Sequence, residues 1–248
     1  MKLVITAFFM AWGSFWIVPC PLKWWDERAR AGMLLFLPAV GLMIGLFWAV
    51  CAWLRERYLP GPVGAALLTA VPFVMSGFFH LDGYMDCADA VLSRRDLDTR
   101  RKILKDSHVG SFAVVALVML FLLQYSVFAG SPFGKKLWLL PFVCAVPRSW
   151  AIVAVTHFRP IPGSSYEKMF SDGVAGWVRL TAVLTLAVLM VLPVLLFGRP
   201  GLCAAAGFFG AMLTIAYNRH DLQGMSGDVS GSGITVGELC ALAALSIL

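Results

Sequence analysis

Asp82, Asp86 and Asp89 are separated by four and then three positions, the spacing that sets side chains on one face of a helix. Three carboxylates on one stripe repel one another, and at membrane depth each charge carries a penalty of about 2.5–3.5 kcal/mol. A divalent cation is the obvious counter-charge. Mg²⁺ favours carboxylate oxygen and keeps its other positions for water or substrate phosphate. Arg94, Arg95, Arg100, Arg101, Lys102 and Lys105 follow directly, and metal plus cations beside carboxylates suits the charge carried by a transferring phosphoryl group. A simpler reading is a solvated, ion-paired face, since six acids and six bases balance between Asp82 and Asp106. It accounts for Asp96 and Asp98 better than for the three aspartates that abut an apolar run. Attraction to anionic lipid, about 1 kcal/mol per residue, is a second simple reading for Arg100, Arg101, Lys102 and Lys105.

Other residues extend the candidate site. His80 and His108 flank the acidic stripe, and an imidazole that titrates near neutrality can accept a hydroxyl proton; Asp82 competes for that role. The segment Gly224–Gly233, GMSGDVSGSG, reads as a glycine-rich loop. Its closely spaced N–H groups can cradle phosphate, and Asp228 can reach a metal. Glu238 follows inside the next apolar run. Arg148 and Arg179 interrupt apolar segments, where an ionisable side chain marks a functional candidate; Arg148, the deeper of the two, suits contact with a phosphate or an amide.

The elements that must position these groups are membrane spans. The chain has 248 residues, 60% hydrophobic and 14% charged, with a mean hydropathy of +0.81. Soluble domains are nearer half apolar and a quarter charged. Disordered chains, disulfide-framed secreted domains and soluble nucleic-acid binders are excluded. The six cysteines are isolated and have no metal-ligand spacing, so they read as small buried hydrophobes. A hydrocarbon core of about 30 Å needs roughly 20 apolar residues. Residues 31–54, 58–79, 111–130, 137–158, 174–197 and the shorter 201–217 qualify. The first twenty and last fifteen residues are weaker, the former suggesting a re-entrant or interfacial segment. The fold class is therefore an all-α polytopic membrane protein of six to eight transmembrane helices, with residues 1–248 as one domain. Four polar connections, 23–30, 80–110, 159–172 and 218–233, hold 12 Lys and Arg against 6 on the other side, which places the polar loops in the cytoplasm.

HLDGYMDCADA followed by RRKILKDSHVGSFAV, and the later LQGMSGDVSGSGITVGELCAL, resemble the two signatures of the cobalamin synthases, the adenosylcobinamide-GDP ribazoletransferases. The early LFLPAVGLMIG is similar to that family's first strong span. The resemblance implies an Mg²⁺-dependent enzyme of the bacterial cytoplasmic membrane. Its substrates would be adenosylcobinamide-GDP and α-ribazole, or α-ribazole 5′-phosphate, and its products adenosylcobalamin, or its 5′-phosphate, and GMP. Carried onto this sequence, Asp82, His80, His108 and Asp106 are the catalytic candidates, and Asp82, Asp86, Asp89 and Asp228 the metal ligands. Arg148, Lys102, Lys105, Gly224, Ser226 and Gly227 are expected to bind substrate. The bilayer is an implied partner and nucleic acid is not; a homo-oligomer or a complex with other late cobalamin-pathway enzymes stays open. A CDP-alcohol phosphotransferase is a weaker reading, because Asp86 and Asp89 are not followed by that family's second aspartate pair. A cation-coupled transporter would need the acids repeated in the second half, and they are not.

Overall fold

The computed structural model describes residues 2–130, 133–169 and 173–248. Among these, twelve helices follow in order: α1 Lys2–Phe15, α2 Arg30–Leu35, α3 Leu37–Tyr58, α4 Pro62–Met75, α5 Phe79–Leu92, α6 Leu97–Ile103, α7 Ser111–Gly130, α8 Leu140–His157, α9 Ser165–Met169, α10 Gly176–Phe197, α11 Cys203–Leu222 and α12 Gly227–Ile247. The described residues form no sheet; one isolated bridge joins Pro160 and Met225. Six apolar stretches are long enough to cross a membrane: α3, α7, α10, α12, and α8 and α11 with their leading 3₁₀ turns. A membrane interior leaves backbone groups no water to bond, which favours helix throughout.

The buried post of the bundle is α8. All but three of its 18 residues are buried, and α3, α10, α11 and α12 pack around it. The outward flanks of α7 and α10 expose Val115, Leu122, Leu180 and Leu195, as lipid-facing surfaces do.

Two expectations from the sequence are corrected. The interval 58–79 is not one continuous span: α4 ends at Met75, Gly77 and Phe78 both take left-handed backbone angles, and α5 leaves at 93° to α4. The two halves make a broken span or a re-entrant loop, so the polar connection from His80 begins as helix. Residues 224–233 are not a loop either. The connection shrinks to residues 223–226, and the glycines and serines beyond it form the first turns of the 21-residue α12. There they let neighbours approach, since a Cβ on Gly233 would meet Ile215 at 2.4 Å and one on Gly237 would meet the Gly207 carbonyl oxygen at 2.8 Å. The first segment, expected as a re-entrant or interfacial one, is a helix of 14 residues, about 21 Å long and too short to span. Beyond it Ile17 donates to the carbonyl of Met75 at 2.9 Å, so the chain after α1 covers the break in the span.

The ends of the helices sort onto two faces. Arg100 donates to the carbonyl of Asp221 at 3.3 Å and Arg101 to those of Leu222 and Gln223 at 3.1 and 3.2 Å, satisfying the last carbonyls of α11. Met225 donates to Arg159 at 2.9 Å and Ile161 to Met225 at 2.8 Å. The C-terminal ends of α5, α8 and α11 and the N-terminal ends of α7 and α12 thereby share one face. On the other face the Glu56 carboxylate accepts the Phe133 N–H at 2.8 Å.

Candidate active site

The site forms where α5 runs antiparallel to the start of α12. Gly83 faces Asp228, Gly231 faces the backbone of His80, and Thr235 donates to the His80 carbonyl at 3.1 Å. This register carries the Asp82–Asp86 stripe past the first turn of α12. Asp86 lies close enough to Asp82, Asp89 and Asp228 for each charge to act on it. Asp228 occupies the first turn of its helix, where the free N–H groups and the helix dipole favour an anion. Ser226 caps that helix, accepting the Val229 N–H at 3.2 Å, and its hydroxyl donates to Asp228 at 3.1 Å. Asn218 holds Ser232 from α11 at 2.9 Å.

The third aspartate of the stripe has a different occupation. Asp89 is buried, and its carboxylate accepts the N–H of Gly110 and, at 3.2 Å, that of Ala113. It caps α7 and so anchors the 93–110 connection at the end of the stripe. A cavity of about 600 Å³ opens beside it, lined among others by Arg94, Arg95, Asp106, His108 and Ser111. The His108 ring and the Asp106 carboxylate lie 2.7 Å apart in solvent. Asp106 holds the His108 imidazole above its ordinary range, and hydrogen bonds from His108 hold the Asp106 carboxyl below its own.

The remaining sequence candidates divide. His80 is buried, stacked on Phe15, with no partner for Nε2. Lys105 lies near Gly163, whereas Lys102 is exposed on α6. Gly224 packs against Ile161, and Gly227 opens α12 with free space around it. Arg148, expected to bind substrate, is 1% exposed, donates to the Cys144 carbonyl at 2.7 Å and forms an ion pair with Glu238. A buried guanidinium needs a paired anion, and Glu238 provides it. Tyr166 is a residue that sequence reasoning passed over. It contacts Ser230 and stands near Asp228, and burial pushes its phenol up; no motif surrounds it to give a signal.

Asp82, Asp86 and Asp228 have no ion-pair partner among the described residues. Neither do any three acidic, histidine or cysteine side chains there converge at metal-holding distances. Carboxylates left without counter-charge suit Mg²⁺, which binds through one or two carboxylates together with substrate phosphate and water. One or two carboxylates from Asp82, Asp86 and Asp228 would fit such an ion, with phosphate and water in its other positions.

Comparison with known proteins gives this arrangement a family. Adenosylcobinamide-GDP ribazoletransferases from Clostridium perfringens strain SM101, Clostridium botulinum strain Eklund 17B and Geotalea daltonii are 29%, 30% and 30% identical to the chain. The alignments cover 100%, 98% and 98% of this chain and 100%, 97% and 97% of those proteins. No solved structure matches the chain. The family model for cobalamin-5-phosphate synthase, CobS, matches residues 7–246, and the chain belongs to that family.

Proposed function

We propose that the chain is an adenosylcobinamide-GDP ribazoletransferase of the bacterial cytoplasmic membrane, with its aspartate face in the cytoplasm. The observation that carries the reading is the juxtaposition of the α5 stripe and Asp228, two acidic elements about 140 residues apart within a family match over residues 7–246. In the reaction, a ribose hydroxyl of α-ribazole that its 5′-phosphate leaves free attacks the phosphorus that bears cobinamide. The new P–O bond joins the two halves of the product, and the bond to GMP breaks. Asp82, the exposed member of the stripe, takes the proton of the attacking hydroxyl. Asp82, Asp86 and Asp228 are the residues that would hold Mg²⁺, which would supply positive charge for the phosphoryl transfer. Asp89 and Ser226 keep the two helix ends in register, and Arg94 and Arg95 line the approach to the stripe.

The test is incubation of the purified chain in nanodiscs with adenosylcobinamide-GDP, α-ribazole and MgCl₂. GMP and a cobalamin should form together, and chelation should stop both. Folded protein that releases no GMP would overturn the assignment. Single cysteines at Ser93 and Lys135 in a cysteine-free variant test the sidedness: Ser93 should label from the cytoplasm and Lys135 from outside.

A further inference from the structure

A second cavity of about 480 Å³ opens on the face of the aspartates, between the last turns of α8 and α11. Its described lining includes His157, Phe158, Arg159, Arg219, His220 and Gln223, and no acid. The Arg219 guanidinium lies 4.2 Å from the centre of the Phe158 ring. The ring orients the cation but offers its N–H groups no acceptor, and Arg219 Nε is buried without a partner. His157 Nδ1 lies 2.8 Å from the Val153 carbonyl. A carbonyl only accepts, so Nδ1 carries a hydrogen, and Nε2 can donate to a phosphate oxygen when the ring is protonated. Asp221, beside His220 in sequence, is already paired with Arg100 at 3.1 Å and with the ring of His220. Among the described residues neither Arg159 nor Arg219 has an ion-pair partner.

The position of this cavity relates it to the reaction. The carbonyl of Arg159 accepts the Met225 N–H, and Met225 directly precedes Ser226, the cap of the helix that presents Asp228. We propose that the cavity binds a phosphate group, and that it takes the nucleotide end of the phosphoanhydride substrate and holds GMP as it leaves. The site assignment rests on the ribazoletransferase reading above. Two guanidinium groups with unspent donors match phosphate oxygens in charge and geometry. The headgroup of an anionic lipid presents the same chemistry, so the two sources must be separated by experiment.

The full-length chain is placed in nanodiscs of phosphatidylcholine, and GMP binding is measured by equilibrium dialysis. Arg159→Ala and Arg219→Gln should each weaken GMP binding about tenfold, the loss of one charge-assisted contact, and leave α-ribazole affinity unchanged. Arg219 packs on Phe158, whereas Arg159 is exposed, so Arg159→Ala keeps the test valid if the other variant unfolds. A second arm uses nanodiscs containing phosphatidylglycerol and native mass spectrometry. Unchanged GMP binding with phosphatidylglycerol lost from Arg159→Ala would overturn the nucleotide and leave the lipid as the source of phosphate. Unchanged binding of both would overturn the site. Arg159-dependent GMP binding in a chain that makes no cobalamin would support the cavity while sinking the ribazoletransferase reading.

Discussion

A methyl group on Gly83 would come within 2.7 Å of the Asp228 Cα. Helices α5 and α12 therefore touch backbone to backbone where their carboxylates meet, and glycine is required there for space. Gly83→Ala must push α12 outward, at about 1–3 kcal/mol for overpacking. Turnover is expected to fall by far more than the thermal transition shifts. Wild-type turnover in this variant would show that the two helices need not touch for the reaction.

Asp86 and Asp89 should separate in mutagenesis although both belong to one stripe. Asp89→Ala removes the cap of α7 and is expected to cost about 1–2 kcal/mol in thermal stability, leaving the Mg²⁺ concentration for half-maximal activity unchanged. Asp86→Asn should raise that concentration or abolish turnover with little loss of stability. Combined with Asp228→Asn, its effect should be non-additive, as for residues acting as one unit. A shifted Mg²⁺ requirement in Asp89→Ala would make Asp89 a ligand after all.

The Arg148–Glu238 pair offers a test of burial. Glu238→Gln strands a buried guanidinium and is expected to cost about 3–5 kcal/mol. The double variant Arg148→Met, Glu238→Leu removes both charges and should unfold later on heating than the single one. Equal or additive losses would mean that the ion pair contributes nothing specific.

The Asp106–His108 pair sets a pH window. His108 is raised by its bond to Asp106, so the contribution is complete below the ordinary histidine value of about 6.5 and is lost as pH rises through the higher folded value. Asp106 is lowered, so its contribution holds above the ordinary aspartate range and is lost as pH falls through the lower folded value. Histidine-labelled NMR spectra should place the His108 midpoint above about 6.5, returning toward it in Asp106→Asn. An unmoved midpoint would show that Asp106 does not hold the ring.

Long apolar intervals made α3, α7, α8 and α10 legible in the sequence, because the need for about 20 apolar residues dominates there. The break at Gly77–Phe78 was not legible, since apolar residues continue through it and only the backbone turns. α12 was hidden for the opposite reason. Glycine and serine signal loops in water, yet between membrane helices they permit close contact, and unpaired backbone has no water to turn to. The spacing of Asp82, Asp86 and Asp89 announced the site, but not that Asp89 spends its oxygens on Gly110 and Ala113. Arg148 and Glu238 stand 90 positions apart, so nothing local marked them as a pair.

The broken span also bears on how the protein is made. Each half has 14 residues, about 21 Å of helix, against a hydrocarbon core of about 30 Å. The second half carries three carboxylates as well. Neither half is a sufficient signal for insertion on its own. α5 finds its lasting partner in α12, which emerges from the ribosome much later, after four further crossings. Until then the aspartates lack the surface they meet in the finished bundle. A nascent chain arrested before α12 would have most of its spans in place and no reaction centre, so assembly of the chemistry is deferred until the membrane topology is nearly complete.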